Sequence, residues 1–330
     1  KMEILAADDC NPEKCSLFIG CKVLTKTKKS LSIDSLSIFK SSNSVLVNIN
    51  DCPYDMAIDV VKYIKEKYKT IDMLLLGYAG AGPYPQCFND LTNKEKIIEA
   101  KLKKEKFYQQ AINYIIALKP KSYMPFAGKY TLGGRLINLN KWRGQPEMKE
   151  VEKDLPQLIK NKNIKSNLLI TKRYYKVDIR ENNSKLNYLH DDLNKKKQYI
   201  INVLSKKNFS YDNEKSLEKN KLLSLLKLAQ QKKLNMQKIY NFYSNWNLYL
   251  EVDNKLLIRV PYVKEKIEID AKLNNDIPWI KVGVDLNMLS AIMKRKAHWN
   301  NLEIGSHLKF YRSEDTYVRG IHHFLSFFHA

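Results

Sequence analysis

Three short apolar runs, at 45–50, 71–76 and 122–128, constrain the fold of this chain more than any other feature. Each run has the length of a buried strand and ends beside a polar residue or a glycine, and helix-length amphipathic segments separate the runs. Strands that alternate with helices are typical of a sheet with parallel neighbours. Because the carboxyl ends of parallel strands share one edge, where α/β folds bind ligands, we predict a single site there.

Asp51 follows the first run and is the candidate functional carboxylate of this edge. An aspartate at that position stays ionised, so it can ligate a metal ion, hold a sugar hydroxyl or act as a catalytic base. The alternative is that Asp51 only caps the next helix, since Asp51-Cys52-Pro53 is a suitable helix start.

The loop after the second run is rich in small residues and tyrosines. Its candidate substrate-binding residues are Gly77, Tyr78, Gly80, Gly82 and Tyr84. Glycines let the backbone approach a ligand and offer N–H groups to an anion, while tyrosines donate hydrogen bonds. The loop lacks the Gly-Lys-Ser/Thr ending of a P-loop, and no helix begins at once as in a dinucleotide fingerprint. The alternative is a glycine- and proline-rich connection that is made tight for packing.

The third run contributes Phe126 and Gly128 to the predicted site, and Arg135 and Arg143 follow it. A guanidinium can hold a carboxylate or a phosphate through two parallel hydrogen bonds, so these arginines predict a clamp for an anionic substrate. The alternative is that both are ordinary surface arginines of a basic protein.

Composition divides the chain into an α/β region at 1–148, a Lys- and Asn-rich connecting region at 149–240 and an α+β region at 241–330. The connecting region has no glycine and is predicted to be largely helical. The last region contains two alternating segments joined by Asp253-Asn254, which predict a pair of strands.

Two amphipathic helices are predicted in the first region, over 55–69 and 93–118, and both are expected to pack on the sheet. In the longer helix the apolar stripe includes Ile97, Ile98 and Leu102. Its Glu and Lys residues alternate at helical spacing, which predicts a solvated face with ion pairs along the helix.

The motifs around the three runs resemble a known family. They are a strand ending in Asn-Asp-Cys, then Leu-Leu-x-Gly-Tyr-Ala-Gly-Ala-Gly-x-Tyr-Pro, then Tyr-Met-Pro-Phe-Ala-Gly. Together they resemble the metallo-β-lactamase-like part of cytidine monophosphate-N-acetylneuraminic acid hydroxylase and its bacterial relatives. The similarity covers 30–148 and, less fully, 241–330, where the segment from Trp299 to Phe324 looks like the end of that family.

The resemblance implies a metallo-β-lactamase-like sandwich with a C-terminal α+β module. It also implies a small anionic sugar or nucleotide-sugar substrate, in cell-surface polysaccharide synthesis, and zinc or iron as the metal. Asp51 corresponds to the metal-bridging aspartate of the family. The chain departs from the family because it has no histidine before His190, so the main metal-binding motif is missing.

Lys1 corresponds to a point midway through the family fold, so the sandwich is expected to be incomplete at its N-terminus. The missing half is expected to have been lost or to come from another chain. Two functions follow: a metal-dependent hydrolase or oxygenase-related enzyme, or a non-catalytic binding or scaffold subunit that keeps the fold without a metal.

The formal charge of +22 is compatible with an anionic partner, but the lysines are spread along the chain, so nucleic acid is not the expected one. No apolar stretch has the length of a membrane span. The five cysteines, an odd number, indicate thiols in a reducing compartment, and we predict a cytoplasmic protein.

Overall fold

The computed structural model describes residues 1–7, 35–50, 52–126, 129–170, 192–316 and 318–330. The strands are β1 Met2–Ala6, β2 Ser35–Lys40, β3 Val45–Asn48, β4 Met73–Leu76, β5 Ser122–Pro125, β6 Asn167–Leu168, β7 Asn247–Val252, β8 Leu256–Pro261, β9 Glu268–Ile269, β10 Trp279–Val284 and β11 Lys309–Arg312. The α-helices are α1 Ile58–Lys67, α2 Asn93–Leu118, α3 Met148–Lys160, α4 Leu193–Asn202, α5 Lys219–Ile239, α6 Leu286–Met293, α7 Trp299–Ile304 and α8 Arg319–Leu325. Short 3₁₀ helices lie at Tyr54–Met56, Gly134–Trp142, Leu204–Lys206 and Ser210–Asn213.

The first sheet has six strands in the order β1-β2-β3-β4-β5-β6. Strands β1 to β3 pair antiparallel, whereas β3, β4, β5 and β6 run parallel to one another. In this register Leu46 lies opposite Met73, and Leu75 lies opposite Met124. The three apolar runs are therefore adjacent parallel strands, which confirms the prediction that their carboxyl ends share one edge.

Helices α1, α2 and α3 cover one face of this sheet. Their inward side chains, such as Ile64, Ile115 and Leu155, share one core with Val47 and Leu74 of the strands. The face opposite the helices is less covered. There the side chains of Phe39 and Ile4 are exposed.

Helix α3 and strand β6 lie beyond position 148, yet both belong to this core and this sheet. We call the first sheet with α1, α2 and α3 the first unit. The first unit thus takes in part of the region that the sequence predicts to be a connection.

The second sheet has five strands in the order β11-β10-β7-β8-β9, and only β7 and β10 pair in parallel. The predicted strand pair is confirmed: β7 and β8 are joined by Asp253 and Asn254, which both adopt a positive φ, as the tight turns of hairpins require. Helices α5 to α8 contribute to its core, and Leu226, Ile292 and Phe324 are fully buried there. We call this sheet with α5 to α8 the second unit.

A loop of the first unit enters the core of the second. Cys87 and Phe88, which follow β4, are buried among second-unit residues, and the Phe88 ring stacks on Phe310 at a centroid distance of 5.0 Å. Backbone bonds join the same segments, with Phe310 N donating to Cys87 O at 2.8 Å and Asn89 N donating to Phe310 O at 2.7 Å. Arg312 then pairs with Asp90 at 2.8 Å. The two sheets with their helices make this a mixed α/β protein.

Across the described residues, no helix combines the length and the apolar composition that crossing a bilayer requires.

Candidate functional site

The predicted site lies at the carboxyl edge of the first sheet, where β3, β4 and β5 end. Asn50 closes the first of these strands with a positive φ of 51°, and its side chain accepts from Asn48 at 2.8 Å and donates to Ser35 O at 3.0 Å. Gly77 follows the next strand and lies against Asn50, because a Cβ at position 77 would be 2.9 Å from Asn50 O. Asp51 and Gly128 fall outside the described residues, so the catalytic and metal-binding roles of Asp51 stay predictions.

The loop after β4 is packed over much of its length. Tyr78 is buried, and Gly80 lies so near the Phe107 ring that a Cβ would meet it at 2.5 Å. The Tyr84 ring packs edge-on against Phe88 at 5.0 Å. Burial, together with a hydrogen bond to Glu99, raises the pKa of the Tyr84 hydroxyl.

Gly82 differs from its neighbours. A Cβ at this position would have no heavy atom within 4 Å, so the loop is open there, and its φ of +152° favours glycine. Gly77 and Gly80 are therefore required for tight packing of the loop, which was the alternative interpretation. Gly82 faces open space instead.

A second segment meets this loop from the carboxyl end of β5. Phe126 is 42% exposed, and the Tyr130 hydroxyl lies close to the Gln86 amide and the Gly82 backbone. Gln145 donates to Gly80 O at 3.3 Å. The structure therefore brings together the loops that follow β4 and β5. Tyr130 and Gln145 belong to no motif, so the sequence carried no signal for either.

Three cations gather beneath these loops, and we call Lys96, Lys103 and Arg143 the cation cluster. Lys96 is only 5% exposed and Arg143 only 8% exposed, while Lys103 is half-buried. Among the described residues, no carboxylate oxygen lies within 4.0 Å of any of the three charged groups. Lysine and arginine are almost never this buried unless they are paired with an anion.

The partners of the cation cluster are carbonyls, amides and rings. Lys96 Nζ donates to Asn89 Oδ1 at 3.2 Å and to Gln86 O at 3.4 Å, and it lies 4.8 Å from the Trp142 ring centre. Lys103 Nζ donates to Tyr84 O at 2.7 Å.

Arg143 Nε donates to Asn140 O at 3.2 Å, and Arg143 Nη1 donates to Gln145 Oε1 at 2.9 Å. The guanidinium stacks over the Tyr130 ring at 5.1 Å. These contacts hold the side chain in place, while the Glu147 carboxylate acts on its charge from beyond 4.0 Å.

Burial changes the ionisation of this region. It lowers the pKa of Lys103 to about 8, an effect that Cys87 opposes and the nearby charge of Arg143 reinforces. Burial also lowers the pKa of Lys96 and of Arg143, and it raises the pKa of the Cys87 thiol to about 11. Desolvated cations that repel one another are stabilised by a bound anion.

The prediction of a solvated lysine face on α2 is wrong for Lys96, which points inward. The predicted apolar stripe is also wrong at the start of this helix, because Ile97, Ile98 and Leu102 are exposed. The first half of α2 packs on the loop at 84–89 and on Trp142 rather than on the sheet, and a lysine reaches loop carbonyls there.

Arg135 has a different set of contacts. It pairs with Asp212 at 2.8 Å and with Asp285 at 2.6 Å, donates to the Tyr211 hydroxyl at 2.9 Å and stacks over Phe209 at 5.1 Å. Two carboxylates thus neutralise Arg135, which joins the segment after β5 to the second unit. Of the two predicted clamp arginines, only Arg143 belongs to the cation cluster.

The resemblance implies zinc or iron, but the described residues do not fit such a metal. Within the part of the chain that the structure describes, no group of three or more His, Cys, Asp and Glu residues can hold a metal ion. Near the C-terminus, His322 Nδ1 contacts Glu303 Oε1 at 3.3 Å. We derive no step through a metal.

Comparison of the chain with protein-family models, with curated proteins and with solved structures gives no match. The resemblance to the metallo-β-lactamase superfamily therefore rests on the sequence motifs.

Proposed function

We propose that this chain binds a small anionic sugar or nucleotide sugar at the carboxyl edge of the first sheet. The observation that carries the proposal is the cation cluster, in which Lys96 and Arg143 are buried and have no carboxylate within 4.0 Å among the described residues. Buried charge needs compensation, and a bound anion supplies it. The loops that meet above the cluster offer hydrogen-bonding groups, including the Tyr130 hydroxyl, that suit the hydroxyl groups of a sugar.

The class of ligand follows from the resemblance, which implies a sugar acid or its nucleotide conjugate. Binding is common to both predicted functions, the enzyme that uses Asp51 and the subunit that holds its ligand without a metal. We also propose that the first unit corresponds to half of a metallo-β-lactamase-like sandwich. Its single helical layer and the exposure of Phe39 and Ile4 on the opposite face support that assignment and leave room for a second half from another chain.

Binding can be tested by calorimetry with three probes: cytidine monophosphate-N-acetylneuraminate, free N-acetylneuraminate and neutral N-acetylglucosamine. We expect the two acidic probes to bind and the neutral one not to. Arg143→Gln should weaken the binding of the acidic probes by at least about tenfold, because charge-assisted hydrogen bonds are lost. Lys119→Gln, which removes an exposed charge elsewhere, is the matched control. Equal binding of the neutral sugar, or no effect of Arg143→Gln, would contradict the proposal.

Asp51→Asn separates the enzyme from the binding subunit. Asparagine caps a helix nearly as well as aspartate, so stability should change by no more than a few tenths of a kcal/mol. An enzyme that uses Asp51 should lose its activity and any metal that copurifies with it. A variant that keeps ligand affinity and shows no change in metal content supports the binding subunit.

A further inference from the structure

We propose that Lys103 and Arg143, with Lys96 behind them, bind a phosphoryl group of the ligand. This inference rests on the proposed function and deepens it, because it assigns one chemical group of the ligand to named side chains.

Lys103 and Arg143 both have N–H groups that donate to no described protein atom. A lysine ammonium has three N–H groups, and one of those of Lys103 reaches Tyr84 O. A guanidinium has five, and Arg143 directs one to Asn140 O and one to Gln145 Oε1. Each side chain therefore keeps at least two donors for a ligand. Lys96 has fewer, since Asn89 and Gln86 take two of its three.

The three cations lie along one side of α2. Lys96 and Lys103 are seven residues apart in α2, which places them on one face about 10 Å apart along the helix. Between them lies Ala100, and Gly144 approaches so closely that a Cβ there would lie 2.7 Å from Ala100 O. Gly144 also has a φ of +66°, which favours glycine. This close contact holds the neighbouring Arg143 against the helix, beside Lys103.

The loop at Gly82 marks the side from which a ligand would approach Arg143. The Arg143 guanidinium lies over the Tyr130 ring, and the hydroxyl of that ring lies close to the Gly82 backbone. Gly82 is the open point of the loop, where a side chain would meet no atom. The Tyr130 hydroxyl is buried and Arg143 is 8% exposed, so a ligand that enters beside Gly82 has to part the loops before it reaches Tyr130 and then Arg143.

The charge of the cation cluster suits a phosphoryl group better than a carboxylate. A phosphate monoester carries a charge of about −1.5 to −2 near neutral pH and has three acceptor oxygens, whereas a carboxylate carries −1 and has two. Three clustered cations match the phosphoryl group better, and the fork of Arg143 can bind two of its oxygens. The nearby aromatic faces are already used by cations: Tyr130 by Arg143, and Trp142 by Lys96 and Lys141 at 4.8 and 4.1 Å. The site thus recognises charge rather than a base.

Another group of lysines provides the control. Lys119, Lys162 and Lys165 line an open cavity at the other end of α2 and α3, and all three are exposed. Lys162→Met therefore removes the same charge from the protein without changing the cation cluster.

The experiment is a titration of the full chain with inorganic phosphate, followed by calorimetry and by ³¹P NMR line broadening. We expect phosphate to bind at least about tenfold more tightly than acetate, and Lys103→Met to weaken phosphate binding at least about tenfold. Lys103→Arg should restore most of the affinity. Arg143→Lys keeps the charge but removes the fork, so its affinity should fall several-fold while its circular dichroism spectrum stays unchanged. Lys162→Met should bind like the wild type.

Equal losses in Lys103→Met and Lys162→Met would overturn the inference, as would acetate binding as tightly as phosphate. If Arg143→Lys keeps its fold and full phosphate affinity, the assignment of Arg143 is overturned. The two proposals fail separately. Phosphate that binds to Lys103→Met with wild-type affinity, while the sugar acids still bind, overturns the phosphoryl site and leaves the sugar site. Phosphate that binds as expected, without any binding of the sugars, supports the phosphoryl site and removes the sugar.

Discussion

In the described part of the chain, both units enclose lysines that have no carboxylate within 4.0 Å, but they do so in different ways. In the second unit Lys233 is fully enclosed, with its ammonium 2.6 Å from Pro261 O and 3.9 Å from the centre of the Tyr262 ring. In the first unit Lys96 and Lys103 lie together with Arg143 at the carboxyl edge of a parallel sheet, beside a loop that is open at Gly82.

The difference separates a structural cation from cations that suit a ligand. A single lysine that is sealed against a ring and a carbonyl adds packing and one hydrogen bond to its core. The charge of Arg143 acts against that of Lys103, and both side chains keep donors that no described group uses. Burial alone does not indicate a binding site. Clustering, together with unused donors and access from solvent, does.

The largest effect is expected where the units interlock. Phe88→Ala removes a buried ring that stacks on Phe310, and it should lower the free energy of unfolding by about 4 kcal/mol. Chemical denaturation measures the loss. Tyr243→Ala, which truncates an exposed ring, is the control and should change stability by less than about 0.5 kcal/mol. If both variants lose the same stability, Phe88 does not tie the units together.

The second effect compares the two kinds of lysine directly. Lys233→Ala leaves a cavity beneath Tyr262 and should cost about 3 kcal/mol of stability, with no change in phosphate affinity in conditions where the variant is folded. Lys103→Met should show the reverse, with a stability change within about 1 kcal/mol and weakened phosphate binding. Lys227→Ala on the exposed side of α5 controls for the loss of charge. A larger loss of stability in Lys103→Met than in Lys233→Ala would contradict the distinction between the two kinds of lysine.

A smaller effect is expected at the start of α2. Thr92 accepts from Glu95 N at 3.3 Å, and the Glu95 carboxylate accepts from Thr92 N at 2.7 Å, so the two residues form a capping box. Thr92→Ala should lower stability by about 1 kcal/mol. Thr92→Ser keeps the acceptor and should restore most of that loss. Because this turn precedes Lys96, hydrogen exchange at the beginning of α2 should rise in Thr92→Ala and not in Thr92→Ser.

A further effect is a dependence of stability on pH. The pKa of Lys103 falls from 10.5 to about 8 on folding, mainly through burial. Between these two values the unfolded chain binds a proton that the folded chain has released, so the free energy of unfolding rises with pH across this window. Below pH 8 both forms are protonated, and the contribution is constant.

The pKa of Lys233 is also lowered by burial, so the wild type alone cannot isolate Lys103. We therefore expect the wild type to gain stability relative to Lys103→Met as the pH is raised from 8 towards 10.5. A difference between the two proteins that stays constant over that range would show that Lys103 titrates normally.

Periodicity predicted those parts of the fold that local sequence determines. The bounds of helix 93–118 are confirmed because Thr92 and Glu95 fix its start. The turn at Asp253-Asn254 is also confirmed, since it depends on residues within a short window. The alternation of strands and helices predicted the parallel order of β3, β4 and β5, because a helix between two strands returns the chain in the same direction.

Local periodicity could not predict the contacts between segments that are distant in the sequence. The inward direction of Lys96 depends on Gln86, Asn89 and Trp142, which reach it from two other parts of the chain. The sequence singled out the Gly77 to Tyr84 loop for substrate binding, which stays a prediction, and the close approaches at Gly77 and Gly80 are to other parts of the protein. Arg135 and Arg143 look alike in the sequence, and only the positions of Asp212 and Asp285 distinguish them.

The interlocked loop has a consequence for the order of events during synthesis. Phe88 leaves the ribosome 222 residues before its partner Phe310. At about 5–20 residues per second, that interval lasts roughly 10–45 seconds. During this time β3 and β4 can pair, but Cys87 and Phe88 have no core to enter, so they are exposed to solvent or to a chaperone. The last quarter of the chain completes the first unit as well as the second, and truncation before Lys309 should leave the nascent protein prone to aggregation.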